Sequence, residues 1–250
     1  MDFTPTEEQA AARDLAARIF GDLATPERLT AAGTDSDPEL WKALCAAGLV
    51  GAVEELGLLG LVLLLEEQGR TTAQVPFAST CVYGLLAVAA HGSPEQRERM
   101  LPGIGDGSVV VCGAFPAQGG VRASAQGELS GTVPVVPWLR DATHVLVADD
   151  HRGLWLTPVA EAARVEAVEL TAPWSAGRLT LDGTPAERLG AAGVHLGAHV
   201  GPVEGGQVLV VEAGALALVA VVRLQRLGRA GRGRHGDTAG VVAERRAAGQ

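Results

Sequence analysis

Up to about residue 105 the apolar positions recur at helical spacing, and beyond it they recur at every second residue. Thr4 through Glu7 reads as a capping box, with Thr4 as N-cap, Pro5 at the first helical position and Glu7 reaching back to the cap. Ala12, Leu15, Ala16, Ile19 and Phe20 then form one apolar stripe, and Gly21 is placed to stop the helix. Asp37-Pro38 starts a second helix, with Leu40, Trp41, Leu44 and Cys45 on its inner side and Gly48 as the stop. A third, "LGLLGLVLLLEEQGR", is apolar nearly all round until Glu66, which predicts a central position. A fourth helix is expected between Pro76 and His91. Ser93-Pro94-Glu95-Gln96 is another capping box and opens a short helix that Pro102 closes.

In the second half, strands are expected at Val109 to Val111, Val121 to Ala125, Val133 to Val136, His144 to Ala148, Leu154 to Thr157, Val165 to Val168 and Arg178 to Leu181. Gly, Pro or Asp fills the gaps, and a spacing of about ten residues is that of a small antiparallel barrel or sandwich. Helices followed by strands, without alternation, indicate an α+β architecture. The expected division is an all-helical domain over 1–104, an antiparallel β-barrel or sandwich over 105–195, and a third segment, 196–250. That last segment holds an apolar run, 208–222, long enough for one helix of about four turns. A tail made almost wholly of Ala, Gly, Arg and Val follows it, and such low complexity predicts disorder.

Composition narrows the function classes. Of the 250 residues 47% are hydrophobic and 20% charged, a globular balance. The net charge of −9 argues against a general nucleic-acid binder. It is uneven: residues 201–250 carry 7 Arg against 4 acidic residues, so the rest of the chain is more acidic than the total. Cys45, Cys81 and Cys112 are odd in number and far apart, which argues against a disulfide framework. The acidic N-terminus has no apolar stretch of a signal peptide. The 15-residue run "VLVVEAGALALVAVV" contains Glu212 and is too short and too charged for a membrane span. A cytoplasmic protein without membrane or nucleic-acid partners is expected.

Candidate chemistry concentrates at "VVVCGAFPAQGG", residues 109–120, a strand that runs into a Gly- and Pro-rich exit loop. Glycine lets a backbone approach a ligand closely, yet this loop carries no Ser, Thr, Asp or Glu. Gly119-Gly120 lacks the spacing of a dinucleotide fingerprint. His195 and His199 stand i, i+4, without the glutamate or third ligand of a metal site. Ser175 does not sit in a nucleophile elbow, Cys112 reads as an apolar filler, and Asp149-Asp150-His151 reads as a solvated hairpin turn.

Residues 1 to about 195 resemble the N-terminal and middle domains of the acyl-CoA dehydrogenases. The similarity rests on "MDFTPTEEQAAARD", "ELWKALCAAGLVG", "LLLEEQGRTTAQVPF", "HGSPEQRERMLPGIGDGSVVVCGAF", "GELSGTVPVVPWLRDATHVLVAD" and "GRLTLDGTPAERLG", in that order. The resemblance implies a helical domain, a β-barrel and a second helical bundle around FAD, removal of an α-proton from an acyl-CoA, and hydride transfer to the flavin. It also implies a flavin-holding loop reading Thr-Glu-Pro, then a glycine turn ending in Ser. Here Ala114 stands at the Thr and Phe115 at the Glu, Pro116 and Gly119 are kept, and Gly120 replaces the Ser. A second flavin-facing stretch, Gly-Thr-Lys-x-Trp-Ile-Thr, aligns from Gly131-Thr132, with Val133 at the Lys, Val135 at the Trp and Pro137 at the Thr. The implied cofactor-binding positions are therefore Ala114, Pro116, Gly119, Gly120, Val135 and Pro137. A three-residue slip would restore a tryptophan at Trp138, but the matches on both sides oppose it.

The C-terminal helical bundle of the family is not recognisable after Val200. Glu204 and Glu212 have no setting for a tuned general base, and no catalytic residue is assigned. Three readings stay open: a partner-dependent acyl-CoA dehydrogenase subunit, a non-catalytic subunit of a homo- or hetero-oligomer with a full-length homologue, or a truncated or frame-shifted product.

Overall fold

The computed structural model describes residues 4–116, 119–172 and 174–190, with the backbone of 196–203, 206–213 and 216–220. Helix α1 (Glu7–Leu23) is capped by Thr6 rather than Thr4. The Thr6 hydroxyl accepts from Gln9 N–H at 3.2 Å and Gln9 Oε1 accepts from Thr6 N–H at 3.0 Å. This register puts Glu7 and Glu8 in the first turn, against the positive end of the helix dipole. It also lets Gln9 Nε2 donate to Leu56 O at 2.8 Å. The helix runs past Gly21, whose cost of about 1 kcal/mol inside a helix is outweighed by burying Phe20.

Helix α2 (Pro26–Ala32) was not foreseen, although Thr25-Pro26-Glu27 carries a cap and an N1 proline. Helix α3 (Pro38–Ala46) starts as expected, with Asp37 Oδ1 accepting from Glu39 and Leu40 N–H at 3.1 and 3.0 Å. Arg28 of α2 clasps the same carboxylate at 2.7 Å and reaches Glu39 at 2.8 Å. Helix α4 (Val53–Thr71) begins before the expected stretch and is kinked at Gly57, where φ is 68°. The expected fourth helix is three pieces: α5 (Phe77–Ser79), a π-helical stretch (Thr80–Leu86) and α6 (Ala87–His91). Helix α7 (Pro94–Asp106) has the expected Ser93–Gln96 box but continues through Pro102. Burial of Met100 and Ile104 on either side of the proline offsets the lost backbone bond. Phe20, Leu40, Leu44, Leu61, Leu64, Phe77 and Leu85 fill the helical core.

The second half forms two four-stranded sheets. One has the order β1 (Val111–Ala114), β4 (His144–Ala148), β5 (Leu154–Pro158), β8 (Glu187–Arg188). The other has the order β2 (Val121–Ala123), β3 (Glu128–Val136), β7 (Gly177–Pro185), β6 (Arg164–Ala167). The pairing is antiparallel except between β1 and β4, which run parallel from Val111↔His144 to Ala114↔Val147. Strand β1 lies later than expected because Val109 and Val110 are bonded elsewhere. Val109 N–H donates to Gly103 O at 2.8 Å and Val110 N–H to Thr143 Oγ1 at 3.0 Å. Cys112, Ala114, Val133, Val136, Trp138, Leu139, Val145, Val147, Trp155, Leu179 and Leu181 share one core.

Strand β3 departs from regular pairing with β7 between Leu129 and Gly131 and again between Val133 and Val136. Pro134 lies in the second irregularity and has no N–H to give the ladder, so a bulge is the geometry that keeps the strand paired on both sides. Alternation breaks there too: Pro134 and Val135 are both exposed.

Polar bonds tie the helices to the sheets within one compact unit that extends to Leu196. Ser36 Oγ donates to Asp141 at 2.8 Å, and Arg140 donates to Thr34 O at 3.1 Å and pairs with Asp35 at 2.9 Å. Gln96 Nε2 donates to Arg188 O at 3.2 Å, and within the helical half Trp41 Nε1 donates to Gly107 O at the end of α7 at 3.2 Å. Described by itself, the later backbone is extended: β9 (Leu196–Val203), β10 (Gly206–Ala213) and β11 (Leu216–Ala220) form a sheet in the order β11-β10-β9. The single helix expected over 208–222 is therefore replaced by strands wherever that run is described. β-Branched Val208, Val210 and Val211 favour the extended form. His195, Glu204 and the tail from 221 lie outside the described residues, as do the side chains of His199 and Glu212. Among the described residues no helix is long and apolar enough to cross a membrane.

Candidate functional site

Strand β1 ends at Ala114, whose side chain is 1% exposed and turned into the sheet core. Its methyl contributes packing and offers nothing to a ligand. Phe115 leans on Tyr83 of the π-helical stretch, with ring centroids 5.0 Å apart. Pro116 O accepts from Gly119 N–H at 3.2 Å and closes the turn. Gly119 and Gly120 follow with φ of 76° and 113°, a region open to glycine. A Cβ on Gly131, φ 147°, would fall on the Gly120 carbonyl oxygen, so the two backbones meet here because Gly131 has no side chain.

The partner of this glycine pair comes from the hairpin between β4 and β5. Gly120 N–H donates to Asp150 Oδ1 at 2.6 Å, and Asp150 N–H donates to Val121 O at 2.8 Å. Asp150, His151 and Arg152 of the hairpin are exposed, as its composition suggested, and Asp149 alone of the acidic pair is buried. Asp149 is 9% exposed and accepts from His151 N–H and Gly153 N–H at 2.8 Å and from Trp155 Nε1 at 2.9 Å. An aspartate bonded to amides two and four residues on is a turn signal legible in the chain. The link to Gly120, thirty residues away, has no local signature.

At the other end of β3 lie Val135, 44% exposed, and Pro137, half-buried at the head of a turn. Gly131 and Pro137 are separated by about 20 Å of strand at most. The glycine pair meets β3 at Gly131 in mid-strand, whereas Pro137 lies just past its C-terminal end, with buried Ala114 in the core. Trp138, with φ 63°, is 8% exposed within that core, its ring 6.2 Å from that of Trp174. It is a packing residue. Ser175, 1% exposed, donates to Asp141, which explains its burial without any nucleophilic role.

The donor set does not fit FAD. Ala114, Val135 and Pro137 bring no hydroxyl, Pro137 brings no N–H, and the Gly120 amide already carries a carboxylate. The cysteines are not reactive substitutes. Burial pushes the Cys45 thiol up to about 12 and raises Cys81 and Cys112 as well.

An open cleft of about 440 Å³ lies elsewhere, between α7 and the β4–β5 edge, lined by Arg99, His144, Leu156, Pro158 and Glu187. Arg99 pairs with Glu187 at 2.6 Å. Burial, and then the Arg99 charge, hold His144 below its ordinary value against the opposing pull of Glu187. Burial would raise Glu187, but the hydrogen bonds from Arg99 and Gln96 outweigh it and lower the carboxyl.

Residues 6–108 match the family described as acyl-CoA dehydrogenase, N-terminal domain. The chain is 28% identical over 170 residues to acyl-CoA dehydrogenase FadE28 of Mycobacterium tuberculosis, covering 66% of this chain and 48% of that protein. Among solved structures it is similar to a variant of the Tcur3481–Tcur3483 steroid ACAD, with 39% identity, a TM-score of 0.68 and coverage of 74% of this chain and 58% of that one. It is also similar to the ChsE4–ChsE5 complex of Mycobacterium tuberculosis, with 27% identity, a TM-score of 0.68 and coverage of 77% and 59%. The chain thus spans about half the length of the curated relative it matches.

Proposed function

The chain belongs to the acyl-CoA dehydrogenase family through its N-terminal region, and from that premise we propose that it is a partner-dependent subunit of an assembly that desaturates an acyl-CoA thioester between its α- and β-carbons. FAD supplies the hydride acceptor in such an assembly, and a full-length homologous subunit holds it. This chain contributes the helical and sheet halves of a subunit. The observation that carries the reading is the side-chain set at the implied flavin positions: Ala114, Gly120, Val135 and Pro137 offer neither hydroxyl nor carboxylate. Two relatives described as two-protein systems support the partner. The steroid description of one of them makes a steroid-derived acyl thioester the first substrate class to assay. Three free, buried cysteines support a reducing cytoplasm.

The test is co-expression with a full-length homologue, followed by size-exclusion chromatography with light scattering, flavin absorbance and acyl-CoA-dependent reduction of an electron acceptor. The chain alone is expected to be colourless and inactive, and the complex to elute as one species that contains flavin and turns over. Stoichiometric FAD on the isolated chain, or failure to associate with any full-length homologue, overturns the reading.

A further inference from the structure

Asp150 is seated on the loop as a bound anion would be. Its Oδ1 lies 2.6 Å from Gly120 N, and its own N–H is anchored on Val121 O at 2.8 Å. The same oxygen would stand 2.7 Å from a Cβ on Gly119, so the carboxylate uses the space that the missing side chain leaves. Backbone N–H groups of a glycine turn are ready donors to phosphate or carboxylate, and a short charge-assisted bond of this kind is about twice as strong as a neutral one. Here the donor is met by an anion that the chain itself supplies. The β4–β5 hairpin holds it in place through Asp149, with Asp149 N–H on Gly153 O at 3.0 Å and Arg152 N–H on Asp149 O at 2.8 Å.

We infer that Asp150 is a specificity-determining residue, a built-in carboxylate that occupies the anion position at Gly120 and excludes phosphate-bearing ligands from this loop. A phosphate reaching the Gly120 amide must displace a tethered competitor whose effective concentration far exceeds that of any free metabolite. It must also approach a like charge, because two anions cannot share one N–H. The inference deepens the proposed role and rests on it for the location of the flavin. It is read on this chain without any partner, so it fails independently of the co-expression test.

The experiment titrates ADP and FAD into the full 250-residue chain and its Asp150→Ala and Asp150→Asn variants, by calorimetry and flavin fluorescence. Wild type is expected to show no saturable binding of either ligand. Asp150→Ala is expected to show saturable ADP binding, at least about tenfold tighter than the weakest affinity at which the wild-type titration would have detected binding. Asp150→Asn, which keeps an acceptor oxygen but no charge, is expected to fall between them. Unchanged affinity in a cooperatively melting Asp150→Ala variant overturns the inference. Should that variant not fold, Asp150→Asn is read by the same criterion. The Gly120 amide resonance of wild type is a further arm: no shift with ADP supports the inference, and a saturable shift overturns it.

Discussion

The helical half and the sheet half satisfy their polar groups over very different stretches of chain. In the helices the closing bonds are local: Thr6 with Gln9, Thr25 with Arg28 and Ser93 with Gln96 are each three residues apart. In the sheets they are distant: Gly120 with Asp150 spans 30 residues, Gly183 with Ser130 spans 53, and Thr157 with Pro185 spans 28. A local cap forms as soon as its helix does, whereas a distant bond exists only once register and hairpin are set. Substitutions in the two halves should therefore be felt over different ranges. A lost cap frays one end of one helix, but a misplaced atom where two strands cross disturbs every contact that depends on their register.

The strongest test of this contrast is Gly131→Ala. The added methyl meets the Gly120 carbonyl at a φ that L-residues avoid, so a loss of roughly 3 kcal/mol or more is expected. Chemical denaturation should show it, with near-UV tryptophan dichroism lost before the far-UV helical signal. A cost below about 1 kcal/mol would show that β2 and β3 are free to slide, and the contrast would break.

Asp37→Ala comes next, because Asp37 is both the cap of α3 and the anchor of Arg28. The substitution should cost about 2 kcal/mol. Burial alone would raise this carboxyl, but Arg28 and the Leu40 and Glu39 amides outweigh it and hold it below its ordinary value. A depressed carboxyl stabilises the fold above its unfolded value of about 3.9, and that stability is lost as pH falls through the folded value. Wild type should therefore lose an acid-sensitive share of stability that the variant lacks, measurable as the difference between their melting temperatures across acidic pH.

A smaller effect is expected from Ser93→Ala, about 1 kcal/mol by urea titration, since one local box is removed and nothing distant depends on it. The smallest concerns His144. Its folded value lies below the ordinary one, so stability should decline as pH falls from about 6.5 toward that folded value. His144→Gln should flatten the dependence in that window while leaving stability at pH 8 nearly unchanged. A steeper slope in the variant would assign the dependence to another group.

The candidate site shows the same division as the fold. The identity of its residues was legible: no hydroxyl at Ala114, none at Pro137, and a Gly119-Gly120 turn. Their placement was not. Ala114 turned into the core on the same face of β1 as Cys112, and Val135 turned outward where Pro134 breaks the ladder. Asp150 reached the glycines because a hairpin brings it there. Trp138 could be weighed between two alignments in the sequence, and the structure places it in the core in a left-handed turn.

What the sequence determined by itself follows from short-range chemistry. Helix starts at Asp37 and Ser93, the change of period near residue 105 and the α+β order all rest on caps and on the 3.6- and 2-residue repeats. The Thr6 start of α1 has a local box of its own that the Gln9 bond to Leu56 reinforces, whereas the passage of α7 through Pro102 goes with tertiary burial of Met100 and Ile104. The tertiary structure decided the parallel β1–β4 pair and the carboxylate on the Gly120 amide. Each of these trades a local preference against a contact with residues far along the chain, and the sequence pattern carries only the local side of that balance.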